Sequence, residues 1–175
     1  LIEEAMWGFE WMIKTRFGDG WRAQAVGGST WTDGIIGDDD DRYAPAQNSP
    51  IENFMAAGAE ALAAAELYQT DADYALACAK EDWRCAYRDR ESEGFLERSD
   101  PARISHGVVM YSCAVWSALD IYQVDGDSYF KDMAIALAKV VMDCQQQEIP
   151  DWNIPFTGFF YRDPSKKLIV HYNQP

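Results

Sequence analysis

An all-α fold of antiparallel helical hairpins, ending in a small C-terminal β-hairpin, is what this sequence predicts, and three observations predict it. Apolar residues recur at three- and four-residue spacing in five stretches. The connections between those stretches alternate between long and short, and one hairpin turn occurs twice. With 175 residues, 48% of them hydrophobic and 25% charged, the chain is sized for one domain with a real core, which excludes whole-chain disorder.

The first helix is expected over residues 1–17, where Ile2, Ala5, Met6, Phe9, Met12 and Ile13 form one stripe and Gly18-Asp19-Gly20 stops it. A second opens at Ser49, with Pro50 at the first helical position and Glu52 at the third, the layout of a capping box. It runs on to residue 67 through small residues that let neighbouring backbones approach, so it is read as an inner helix. The third covers 71–90, with Tyr74, Cys78 and Cys85 sharing a face with Ala75 and Ala79. The fourth, 106–123, is apolar around most of its circumference and is expected to be buried on more than one side. The fifth has a single stripe of Phe130, Met133, Ala134, Leu137, Val140, Val141 and Cys144. After it, 156–162 and 168–172 are rich in aromatic and β-branched residues and flank Asp163-Pro164-Ser165-Lys166-Lys167, the pattern of a β-hairpin.

Helices one and two are joined by about thirty residues, two and three by a few, three and four by about fifteen, four and five by a few, and another long segment follows. In an antiparallel bundle this puts every long connection at one end, where function is expected. The turn repeat is explicit: residues 64–74 read AAELYQTDADY and residues 118–129 read ALDIYQVDGDSY. Helical hairpins recurring at a period of about fifty residues signal a solenoid or a closed ring of hairpins, with helices two and four inside and three and five outside.

Composition narrows the partners. Fifteen Lys and Arg stand against 29 Asp and Glu, a formal charge of −14, which repels nucleic-acid phosphates and anionic membrane surfaces. No stretch approaches the roughly 20 apolar residues of a membrane-crossing helix, and the start lacks a signal-peptide layout. Cys78, Cys85, Cys113 and Cys144 form no CxxC pair and are read as buried free thiols.

Three stretches carry a family resemblance: Glu3-Glu4-Ala5-Met6-Trp7-Gly8-Phe9-Glu10-Trp11-Met12-Ile13-Lys14, the Ala-rich run 56–68, and the hairpin 115–129. Together they resemble the six-hairpin, (α/α)6-toroid glycosidases, most closely the cellulase-like family 9 glycoside hydrolases, whose corresponding segments read E-x-x-W-G-x-D-W-L-L-K, A-E-T-A-A-A-L-A-A-A-S and W-A-A-x-x-L-Y-x-x-T-G-D-x-x-Y. The resemblance implies a single, partial (α/α)6-toroid catalytic domain over 1–175, since five helices stand where a full toroid has twelve. It also implies an enzyme that hydrolyses O-glycosyl bonds of a polysaccharide or oligosaccharide by a two-carboxylate, inverting mechanism, with the rest of the toroid as partner and no cofactor. The family's base motif, D-A-G-D, and its acid glutamate have no counterpart here, and its Glu in the Ala-rich helix falls on Ala57, so no catalytic residue carries over. Polymeric glycans imply a secreted or periplasmic location.

Read on their own, several residues offer the chemistry such a site needs. Glycoside hydrolysis uses two carboxyl groups, about 6.5–9.5 Å apart for inversion and about 5–5.5 Å for retention. Asp33, in Trp31-Thr32-Asp33-Gly34, places an acid beside an aromatic ring and is the catalytic candidate; an Asx turn before Gly34 is the commoner use of such a residue. Asp38, Asp39, Asp40 and Asp41 form an acid run in which Asp38 and Asp40 suit Ca²⁺, against the alternative of a solvated loop. Trp21, Trp31, Tyr43, Trp152, Phe159, Phe160 and Tyr161 lie in long connections, suited either to stacking on pyranose faces or to plugging the bundle end. His106 sits at the long-connection end of helix four, His171 in the second hairpin strand, and the two make no metal pair by spacing. Arg98 and Arg103, near Glu97, suit a carboxylated sugar or a surface ion pair. The substrate-contact set is Trp21, Trp31, Tyr43, Arg98, His106, Trp152 and Tyr161. P-loop, GxGxxG, HExxH and GxSxG motifs are absent. Two other readings stay open: a toroid enzyme on acidic glycans (uronide hydrolase, lyase or epimerase), and a non-catalytic helical-repeat binding module.

Overall fold

The computed structural model describes residues 2–23, 35, 46–66, 70–90 and 106–170. Its elements in chain order are α1 (Ile2–Lys14), β1 (Arg16–Gly18), β2 (Trp21–Ala23), β3 (Ala46–Gln47), α2 (Pro50–Glu66), α3 (Thr70–Asp89), α4 (His106–Asp125) and α5 (Ser128–Asp143). The described part is mostly helical, as expected, with α2 packed on α3 and α4, and α4 on α5.

Two local expectations are corrected. The first helix stops at Lys14, three residues early, because Thr15 turns its hydroxyl back onto the carbonyls of Trp11 (3.0 Å) and Met12 (3.1 Å). This leaves the chain free to extend. Gly18-Asp19-Gly20 is then more than a helix stop. Asp19 and Gly20 both take positive φ (50° and 80°) and form the two-residue loop of a β1–β2 hairpin, a conformation Asp-Gly favours. β3 adds antiparallel to β2, giving a three-stranded sheet in order β1-β2-β3 within the connection expected to be irregular.

At the other end of the chain the expected hairpin is reduced to isolated pairing. Tyr161 bridges Ile169, with Arg162 N–H donating to the Leu168 carbonyl (2.7 Å) and Val170 N–H to the Phe160 carbonyl (2.9 Å). The turn is where the sequence puts it: Asp163 accepts from the Ser165 N–H at 2.8 Å, and Lys166 takes φ 56°. Residues 156–157 stay outside the pairing, because Phe160 also bridges back to Gln145 and Gly158 N–H donates to the Gln146 carbonyl at 2.8 Å.

The core follows the helix stripes. Pro50 begins α2, and the Ser49 carbonyl accepts the first helical bond, from Asn53 N–H, at 2.9 Å. Ala56, Ala57, Gly58, Ala61 and Ala64 give α2 a surface thin enough for α3 and α4 to approach together. Into the space between them α3 inserts Trp83, fully buried, edge-on to Phe54 (5.7 Å) and Phe130 (5.4 Å) and stacked on Tyr87 (5.3 Å). Its indole N–H donates to the Ala114 carbonyl at 3.1 Å, which satisfies the polar end of the ring inside the core. Of the residues expected to share one face of α3, Ala75, Cys78, Ala79 and Cys85 are buried and Tyr74 is half-exposed. Cys78, Cys85 and Cys144 are buried and Cys113 partly so, all four free, with burial pushing each thiol above its ordinary pKa. Gly126 (φ 72°) and the Asp127 cap, which accepts from Tyr129 N–H at 2.9 Å, turn α4 into α5 as the repeated motif requires.

Candidate functional site

Among the described residues, two of the long connections meet the helices at one end. The sheet of the α1–α2 connection lies at the start of α2 and the C-terminal half of α3, where Asn48 Nδ2 donates to Asp89 at 2.8 Å. The segment after α5 docks on the start of α4, where Val108 N–H donates to the Arg162 carbonyl at 2.7 Å. Both attachments fall at the same kind of helix end, the one the long connections share.

The sheet is held by charge. Strand alternation and a bulge between Arg16 and Gly18 turn both arginines of the Arg16–Arg22 pair inward, and leave Phe17 and Trp21 exposed. Arg16 donates through Nε to Asp82 (2.9 Å) and pairs with Glu81 (2.6 Å). Arg22 donates through Nε to Asn53 (2.9 Å) and through a terminal nitrogen to Asp82, with Glu60 at 3.5 Å from the same nitrogen. Asn53 completes the attachment by donating to the Gly20 carbonyl at 2.8 Å. Although burial works against its charge, the hydrogen bond to Glu81 and the field of Asp82 hold Arg16 firmly protonated. That same hydrogen bond from Arg16 holds Glu81 below the usual carboxylate range. At the rim, Arg88 pairs with Asp89 (2.6 Å) and Asp19 (2.7 Å), and its hydrogen bond lowers the pKa of Asp89.

Opposite in character is the segment over 144–170. Trp152 stacks on Phe159 at 6.1 Å and 27°, and Phe159 meets Tyr161 edge-on at 5.1 Å. Tyr161 is 7% exposed and its hydroxyl donates to Gln146 at 3.1 Å, so it is the packed base of this group. Trp152, 50% exposed, keeps an aromatic surface open to solvent. Trp21, at 49%, does the same on the sheet.

Compared with family models, curated proteins and solved structures, the chain matches none. Of the sequence candidates, Trp21, Trp152, Phe159, Phe160 and Tyr161 are placed on the two long connections; Phe160 is partly exposed beside the group. Trp31, Asp33, Asp38, Asp40, Tyr43, Arg98, Arg103 and His171 lie outside the described residues, and His106 begins α4 with its side chain outside them. Among the described residues no group of three or more His, Cys, Asp or Glu is disposed to hold a metal, and no helix is long and apolar enough to cross a membrane.

The sequence reading missed the Arg16, Arg22, Glu60 and Asp82 cluster. Its signal was present: Glu60 interrupts an Ala-rich inner helix, and Asp82 sits beside Trp83 on the buried face of α3. A charge on a buried face requires a partner from elsewhere in the chain. Asp82 holds the sheet through Arg22, with Glu60 beside the same guanidinium; both carboxyls are sealed from solvent, so neither meets a substrate.

Proposed function

We propose that this chain is part of an (α/α)6 toroid that processes carbohydrate, hydrolysing O-glycosyl bonds of a polysaccharide or oligosaccharide by a two-carboxylate mechanism outside the cytoplasm. The observation that carries the reading is the convergence of both described long connections on one end of the helices, each offering a half-exposed tryptophan, Trp21 and Trp152. Indole faces held on packed supports are suited to the apolar faces of pyranose rings, and neighbouring Asp19 and Asp151 supply acceptors for sugar hydroxyls. The acid–base pair belongs to residues outside these two platforms; Asp33, between them in sequence with Trp31, is the candidate we retain, and Asp38 with Asp40 the candidate Ca²⁺ ligands. The test is hydrolysis of soluble gluco-oligosaccharides by the protein as isolated, compared with its Asp33→Ala and Trp31→Ala variants. Unchanged cleavage in both variants removes the loop assignment, and no cleavage or binding by the parent removes the reading.

One observation favours a second reading. Met55 and Leu62 on α2, and Trp116 and Leu119 on α4, are each 40–52% exposed. Gly58, between Met55 and Leu62 on the helix face, lies under the Trp116 ring, where an added Cβ would be 3.2 Å from it. This apolar stripe on the two inner helices fits further hairpins of a toroid. It equally fits a protein partner of a helical-repeat module. An intact mass well above 19.8 kDa for the isolated protein supports the toroid, and a stable monomer of 19.8 kDa supports the module.

A further inference from the structure

Glu60 is fully buried on α2, and neither of its carboxyl oxygens has a hydrogen bond. Its nearest cation is the terminal nitrogen of Arg22 at 3.5 Å, already committed to Asp82, while Arg22 Nε is committed to Asn53. Counting charge at the clamp, Arg16 and Arg22 are matched by Glu81 and Asp82. A neutral Glu60 leaves the cluster balanced; an ionised Glu60 adds a third negative charge that can only share, at 3.5 Å, an Arg22 nitrogen already bonded to Asp82. We propose that Glu60 is the proton-held pin of a latch: its neutral form lets the β1–β3 sheet dock on α2 and α3, and its ionisation favours release of the sheet and hydration of the carboxyl.

The groups that act on Glu60 come from three directions. Arg16 reaches it from β1 and Arg22 from β2, both favouring ionisation; Asp82 opposes it from α3, where Cys78 and Tyr74 also feel its charge. On α4, the carboxyl of Asp120 is raised by burial alone and is not coupled to the cluster. Burial first, then Asp82, outweigh the two arginines and push the Glu60 carboxyl up to about 8. With the sheet lifted, water reaches the carboxyl and its burial is relieved, so its pKa falls below the closed-state value even though Arg16 and Arg22 leave with the sheet and Asp82 stays. The open state therefore binds fewer protons than the closed one between the open-state and closed-state values, so docking weakens as pH rises, by up to about tenfold per pH unit, and levels off above about 8. Because β2 carries Trp21, the latch also sets the position of that ring.

Hydrogen exchange of the whole chain, followed by mass spectrometry and corrected for the intrinsic pH dependence of exchange, tests it. Exchange in a peptide spanning residues 16–23 is expected to rise by up to about tenfold per unit between about pH 5.5 and 7.5 in the wild type. It should stay flat in Glu60→Gln, with α5 (Ser128–Asp143) flat in both. A flat wild-type profile, an equal rise in Glu60→Gln, or a rise of α5 in step with the sheet overturns the proposal. Should Glu60→Gln not fold, the wild-type profile of the sheet against α5 decides alone.

Discussion

The Arg162 carbonyl accepts the backbone N–H of Val108 at 2.7 Å, and the residue before Val108, Gly107, has no room for a side chain: an added Cβ would stand 2.2 Å from that same carbonyl oxygen. One of the open donors at the start of α4 is thereby satisfied by the chain that follows α5, and a glycine makes the approach feasible.

Gly107→Ala is accordingly expected to push the 144–170 segment off α4. The backbone oxygen cannot yield as a flexible side chain would, so a loss of about 2 kcal/mol or more is expected in urea unfolding. Faster exchange in residues 158–162, with α2 and α3 unchanged, distinguishes local detachment from global loss.

Trp83→Ala removes the ring that fills the space among α2, α3, α4 and α5 and leaves a large cavity. A cost of about 4 kcal/mol is expected by chemical denaturation. Trp116→Ala, on the open stripe, is expected to cost clearly less than Trp83→Ala in the same measurement, because its ring is 44% exposed where Trp83 is fully buried.

How much of this was legible beforehand divides by the range of the interaction. The five helices follow from local spacing, and the Asp127 cap and Gly126 turn from local chemistry, so their places were readable to within a few residues. Tyr74 shares a helix period with Cys78 yet stays half-exposed, because which part of a helical face is covered depends on the neighbours packed against it and not on its own stripe alone. The sheet was missed because its strands are two or three residues long, too short for a periodic signal. The Asp19-Gly20 dipeptide was its one local mark, and Arg16 and Arg22 gain meaning only from Asp82, 60 or more residues away. Within the candidate site, the aromatic residues were legible because long connections cannot hide them in a helix core. Which ring is packed and which is open, Tyr161 or Trp152, depends on Gln146 and Phe159 and was not.

Glu81 gives a pH dependence of the opposite sense to Glu60. Its carboxyl is lowered by the hydrogen bond from Arg16, so its contribution to stability is present above the ordinary glutamate range and is lost as pH falls through the lowered value. Glu81→Gln is expected to lower stability at neutral pH by less than about 1 kcal/mol, since the group is half-exposed and screened. The two proteins should coincide in acid, where both carry a neutral side chain. Urea midpoints across the acid range check this; a difference that persists unchanged in strong acid contradicts it.

The central claim, that the end gathering the long connections binds carbohydrate, is tested most directly by the indole N–H resonances of the isotopically labelled protein titrated with a soluble gluco-oligosaccharide. The account predicts saturable shifts of the Trp152 and Trp21 signals, assigned through Trp152→Phe and Trp21→Phe, with the buried Trp83 and the stripe residue Trp116 unmoved. Shifts confined to Trp116, or none at Trp152 and Trp21, would contradict it.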